Sequence, residues 1–203
     1  TVGEDGASHQ AIEDVSLMRS LPNMTVLVPA DEEETRQAIA WASEYQGPVY
    51  IRLGRMSVDN VSPEGYVFAP AKAAVLTEGN DVTLIANGVM VTAALEAAKT
   101  LATEGIQARV INMASVKPLD AAAVVSAAKE TGAIVTCEEH SIIGGLGSAV
   151  AEVLAEQAPA PMERVGVKDT FGESGKPKEL LAKYGLTAAD VAEAARRVVA
   201  RKK

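Results

Sequence analysis

The most constraining feature of this chain is a repeated alternation. Short β-branched runs are each followed by a stretch with apolar residues at helical spacing. Val82-Thr83-Leu84-Ile85-Ala86 precedes Val91, Ala94, Leu95, Ala98 and Leu101, and Ala108–Met113 precedes Val124, Val125 and Ala128. Ala133-Ile134-Val135-Thr136-Cys137 precedes a helix over Leu146–Leu154, and Val165-Gly166-Val167 precedes Val191, Ala194, Ala195 and Val198. Strands joined by crossover helices form a mostly parallel sheet covered on both faces, so the fold class is α/β. Upstream, Thr25–Val28 and Val49–Leu53 read as two more strands. Between them Asp31 caps a helix whose first turn holds Glu32, Glu33 and Glu34, read as a solvated start, and Gly47-Pro48 stops it.

Residues 56–70 break the alternation. Pro63, Gly65 and Pro70 lie among Ser, Asp and Asn with no period, which marks a connection. The expected division is residues 1–62, a linker at 63–70, and residues 71–203. Of the 203 residues 48% are hydrophobic but only 3% aromatic, so the interior is filled by Ala, Val, Leu and Ile. No apolar run approaches the ~20 residues of a membrane helix. The net charge of −8 repels phosphate backbones, which argues against nucleic-acid binding, while local Arg and His can still hold small anions. A lone cysteine, Cys137, excludes a disulfide framework and fits a cytoplasmic protein.

Several stretches invite functional readings that their spacing does not support. Gly144-Gly145-Leu146-Gly147 lies between a strand and a helix, where a phosphate could sit, but it is not a full G-x-G-x-x-G; tight packing is the better reading. Glu138-Glu139-His140 lacks a second histidine at ligand spacing, and neighbours on a strand point to opposite faces, so a metal is rejected. Phe171-Gly172-Glu173-Ser174-Gly175-Lys176 lacks the phosphate-loop pattern and reads as a structured connector that could touch a partner subunit. Cys137, inside an apolar strand, reads as inert packing.

The opening residues, Gly3-Glu4-Asp5-Gly6-Ala7-Ser8-His9-Gln10-Ala11-Ile12-Glu13, carry more. Gly3 and Gly6 allow a tight turn ahead of a helical stretch, and such a turn can present Asp5 and His9 to one small volume. Equally, Asp5 or Ser8 could simply cap that helix. Arg55 follows the strand Val49–Leu53, at the carboxyl end where open parallel sheets place ligands. An arginine fork, an imidazole and a carboxylate together suit a phosphorylated sugar.

With Arg19–Asp31 and Gly47–Arg55 added, this stretch resembles the transketolase family. The family pattern is Gly-Glu-Asp-Gly-Pro-Thr-His-Gln-Pro-x-Glu, with Ala7, Ser8 and Ala11 replacing proline, threonine and proline here. The resemblance is closest to the split transketolases whose two halves are separate chains. The His9-Gln10 pair argues against 1-deoxyxylulose-5-phosphate synthase, where His-His is expected. The resemblance implies the latter part of a pyrimidine-binding domain followed by a three-layer α/β/α C-terminal domain.

On the resemblance, the enzyme moves a two-carbon ketol unit between sugar phosphates in the pentose phosphate pathway, using thiamine diphosphate and Mg2+ or Ca2+. Asp5 would bond a sugar hydroxyl, while His9 and Arg55 would hold the phosphate; Arg52 reads as an ion-pair partner. The cofactor-activating glutamate, the stacking aromatics and the metal motif would lie elsewhere. This chain alone is therefore expected to bind no cofactor or metal and to be inactive. An N-terminal section or subunit is the expected partner, in a homodimer or heterotetramer, because a partial first sheet leaves open edges. Two alternatives are another thiamine enzyme, such as a 2-oxoacid dehydrogenase β subunit or deoxyxylulose phosphate synthase, and a non-catalytic assembly module.

Overall fold

A computed structural model describes residues 1–202. Two sheets organise the chain. The larger is built from β3 (Ala74–Thr77), β4 (Val82–Ala86), β5 (Ala108–Asn112), β7 (Ile134–Ser141) and β8 (Met162–Val167), in spatial order β3-β5-β4-β7-β8. All neighbours are parallel except β3, which runs antiparallel to β5 at the edge. Helices α3 (Met90–Thr103) and α7 (Ala188–Val199) cover one face; α4 (Ala121–Thr131) and α5 (Leu146–Gln157) cover the other. Alternation along β4 feeds both layers, with Val82, Leu84 and Ala86 packed among α3 and α7 and Ile85 among α4 and α5. The three-layer α/β/α arrangement is as expected.

The helix signals hold. Thr187 and Asp190 close a reciprocal capping box on α7. Asp120 caps α4 by accepting from the Ala123 N–H at 3.0 Å, and Gly132 ends that helix at φ +67°. Cys137 is fully buried, and burial pushes its thiol pKa far up, in keeping with inert packing.

The smaller sheet departs from expectation. β1 (Thr25–Leu27) and β2 (Val49–Ile51) pair in parallel, with α2 (Glu32–Glu44) between them in the chain. The other edge of β1 is closed by β6 (Ser115–Lys117), an antiparallel strand lent by the second half of the chain. β6 was hidden because three residues ahead of Pro118 carry no readable period. Two more elements escaped the sequence reading: edge strand β3, and α6 (Pro177–Lys183), one of two short helices with α1 (Asp14–Ser20). β7 also runs four residues past Cys137, carrying Glu138, Glu139 and His140 into the interior.

The glutamate triplet is corrected. Glu32 is exposed, but Glu34 is fully buried. It accepts from the Ala30 N–H at 2.8 Å, from Asn112 Nδ2 on β5 at 2.9 Å to each oxygen, and from the Tyr66 hydroxyl. Asp31 caps α2 with one oxygen and takes the N–H groups of Val61 and Ser62 with the other. Burial pushes the Asp31 carboxyl up, but these three N–H donors outweigh it and hold its pKa low. The connecting segment is thus tied down to α2 along its length, with Phe68 N–H on Gln37.

Candidate functional site

The opening residues form two 3-10 turns, Gly3–Asp5 and Ala7–His9, which Gly3 (φ +70°) and Gly6 (φ +78°) make accessible. Asp5 is therefore in a turn, not capping α1, which begins at Asp14. Asp5 and Arg55 meet as an ion pair, Arg55 Nη1 to Asp5 Oδ2, with both side chains exposed. His9 stands apart from that pair: its Nδ1 contacts Ser8 Oγ at 3.1 Å, and its ring borders a cavity of about 340 Å³ that neither Asp5 nor Arg55 lines. Two of the three expected residues are thus brought together, and the third opens onto the adjoining cavity.

That cavity lies between the two halves of the chain. His9 and Gln10 contribute from the opening turns, Tyr50 and Arg52 from the β2 end, and Leu180 and Tyr184 from α6 and its end. Apolar side chains such as Ile12, Leu53, Leu180 and Leu181 share its lining with polar groups that include His9, Gln10, Arg52 and Glu139, a mix suited to a small ligand. The glycine-flanked connector closes its side. Gln10 Nε2 donates to Gly3 O at 3.1 Å and to Glu173 O at 2.9 Å, while the Tyr184 hydroxyl donates to Phe171 O at 3.1 Å.

From the cavity wall inward runs a polar network, begun by Asp14, Tyr50, Arg52 and Glu139, that sequence reasoning reached only through Arg52. Arg52 Nε donates to Asp14 Oδ1 at 3.3 Å, Nη1 to Glu139 Oε2 at 3.1 Å and Nη2 to Ala11 O at 3.1 Å. The Tyr50 hydroxyl donates to Asp14 Oδ2 at 2.6 Å; burial, then Asp14, pushes the Tyr50 pKa up to about 12. His140 donates from Nδ1 to Ser141 O at 2.7 Å and accepts the Ser16 N–H on Nε2 at 3.3 Å, which places its proton on Nδ1. Glu138 accepts the Leu146 and Gly147 N–H groups at 2.7 and 2.8 Å, so the chain's own carboxylate fills the α5 N-terminus. Burial drives the Glu138 pKa up despite those donors. The signal was available: three ionisable residues continuing an apolar strand must find partners where the strand is buried.

Asn87, Glu138, Glu139 and His140 sit at the carboxyl ends of β4 and β7, the position where the order of a doubly wound sheet reverses and ligands usually bind. Val15, Val28 and Arg52 from the first half plug it, leaving about 10 Å³.

Comparison with known proteins agrees with this architecture. The family described as transketolase, pyrimidine binding domain, matches residues 1–60, and the transketolase C-terminal domain matches residues 71–191. A 6-deoxy-6-sulfo-D-fructose transketolase subunit of Clostridium sp. (strain MSTE9) is 48% identical over 98% of this chain and 62% of its own length. An apulose-4-phosphate transketolase subunit of Phocaeicola vulgatus is 41% identical over 91% of this chain and 59% of its own. A solved structure described as a split gene transketolase, an inactive beta4 tetramer, superposes with a TM-score of 0.94 at 57% identity, over 98% of this chain and 65% of that one. The chain thus spans about three fifths of the length of these two curated relatives. On these grounds it belongs to the transketolase family, matching its pyrimidine-binding and C-terminal domains.

Proposed function

We propose that this chain supplies the anion grip and the C-terminal domain of an enzyme that transfers a two-carbon ketol unit between sugar phosphates. It would work with an N-terminal section that carries thiamine diphosphate and Mg2+, in a cytoplasmic homodimer or heterotetramer. Within it, residues 1–62 and 71–203 act as two units joined by 63–70. No helix among the described residues is long and apolar enough to cross a membrane.

The observation that carries this reading is the Asp5–Arg55 pair beside the His9 cavity. An exposed ion pair is worth about 0–1 kcal/mol, so an incoming terminal anion displaces Asp5 from the guanidinium fork at little cost. Asp5 is then free to accept from a sugar hydroxyl, and His9 can donate to the same anion. By their names, the two relatives act on a sulfonated and a phosphorylated sugar, both ending in an anion. His9-Gln10, rather than two histidines, favours ketol transfer over deoxyxylulose phosphate synthesis.

Thiamine diphosphate supplies the carbanion chemistry when bound. Holding it would take oxygen ligands for a divalent cation and a carboxylate not already engaged within the chain. Among the described residues no three His, Cys, Asp or Glu could hold a metal ion. The buried Asp31, Glu34 and Glu138 are each occupied by donors of this chain. These residues do not fit the cofactor by themselves; its diphosphate and metal are assigned to the N-terminal section, and residues 1–60 would supply only part of the surroundings of its pyrimidine.

The test is transfer from xylulose 5-phosphate to ribose 5-phosphate with thiamine diphosphate and Mg2+, by this chain alone and by its longest form mixed with the N-terminal section. Silence alone and turnover in the mixture support the reading. Turnover alone overturns the assignment of cofactor binding, and silence in both moves weight to another thiamine enzyme or an assembly module.

A further inference from the structure

We infer that Gln10 is a positioning residue through which the C-terminal domain sets the orientation of His9. The inference rests on the anion-grip reading above.

The turn that carries Asp5 and His9 does not stand on its own half of the chain. It lies on the 172–177 segment of the second half, and the fit is close along its whole length. A side chain at Gly3 would meet the Pro177 ring at 2.8 Å, and one at Gly6 would meet Ser174 Oγ at 2.6 Å. A side chain at Gly172 would run into Gln10 Oε1. The Gln10 carboxamide forms the hydrogen-bonded link, donating to Gly3 O within the turn and to Glu173 O across the boundary. One planar amide therefore fixes the start of the turn and its bed together, and its backbone directly follows His9. The bed is itself anchored, since Glu173 pairs with Lys183 at 2.5 Å and Tyr184 holds Phe171 O.

Among the described residues the His9 side chain has no comparable restraint. Its contact is with the hydroxyl of the preceding residue, in an exposed position. A free imidazole that must meet an anion in one geometry gains most from a rigid backbone neighbour, because small misplacement in a binding site carries large rate and affinity penalties. Gln10 provides that rigidity through its two carboxamide hydrogen bonds.

Two measurements test this. The chain contains two histidines, His9 and His140, so imidazole NMR of the full chain yields one reporter and one internal control. Gln10→Ala, Gln10→Glu and Gly172→Ala should each shift the His9 signal and leave His140 in place, and Gly172→Ala should add nothing in a Gln10→Ala background. An unmoved His9 signal in Gln10→Ala, or full additivity of the two changes, overturns the inference.

In the assembled enzyme, Gln10→Ala should raise KM for ribose 5-phosphate about tenfold, with KM for the unphosphorylated acceptor glycolaldehyde and kcat within about twofold of the parent. Equal changes for both acceptors, the signature of general loosening, would overturn it. If the parent enzyme performs no ketol transfer, the proposed function fails and the imidazole experiment still decides the role of Gln10.

Discussion

Removing the Tyr66 hydroxyl tests how far the buried Glu34 carboxylate relies on neutral donors. Glu34 is fully buried and receives the Ala30 N–H, the Asn112 amide and the Tyr66 hydroxyl, with no cation among these partners. Tyr66→Phe keeps the ring and deletes one donor, so no large cavity forms. A hydrogen bond to a charged group is worth about 1.5–3 kcal/mol, and because Tyr66 is only half-buried, about 2 kcal/mol is expected. With a urea m-value of about 3 kcal/mol/M for a chain of this size, the midpoint should fall by about 0.7 M. Burial raises the Glu34 pKa in the folded chain. Its stability contribution is therefore fully present below the unfolded value of about 4.3 and is lost as pH rises through the raised value. Deleting a donor to the carboxylate raises that pKa further, so the Tyr66→Phe penalty should be about 2 kcal/mol near pH 8 and under about 1 kcal/mol near pH 4.5. Burial and then Glu34 push the Tyr66 pKa up, so its proton stays in place throughout this range. A penalty equal at both pH values, or below about 0.5 kcal/mol near pH 8, would refute the reasoning.

Other outcomes follow from the same contacts. Gly145→Ala would drive a methyl group into Glu138 Oε2 and His140 Nδ1, so a loss of about 3 kcal/mol or more is expected in thermal or urea unfolding. Because β6 completes the first sheet, fluorescence of the single tryptophan, Trp41 on α2, should report the same unfolding midpoint as far-UV circular dichroism; separate midpoints would mean that the halves unfold independently. In the assembled enzyme, Arg55→Ala should raise KM for ribose 5-phosphate by about tenfold or more while leaving glycolaldehyde use intact.

What the sequence revealed follows from the range of the interactions concerned. The second sheet was legible because βα alternation and caps such as Thr187–Asp190 are local. Asp5, His9 and Arg55 were legible as types suited to an anionic sugar, and the family pattern supplied their roles. Their arrangement was not, since the Asp5–Arg55 pair spans fifty residues and His9 faces a cavity walled by α6. Glu34 was misread for the same reason. Its neighbours Glu32 and Glu33 share its chemistry, and two of the three partners that distinguish it, Asn112 and Tyr66, are distant in sequence. β6 and Gln10 fall in this class too, each defined by a partner in the other half.

The loan of β6 has a consequence for where this polypeptide can be interrupted. Residues 56–60 lead from β2 to the linker with Ser57, Asp59 and Asn60 exposed, yet Val26 and Leu27 remain paired with Lys117 and Ser115, and Lys117 Nζ binds the Arg19 and Leu21 carbonyls. A protease acting there would nick the molecule without dividing it, and the fragments should leave a size-exclusion column together until denatured. A gene broken at the same place would encode two products, the first of them missing a strand until the second arrives.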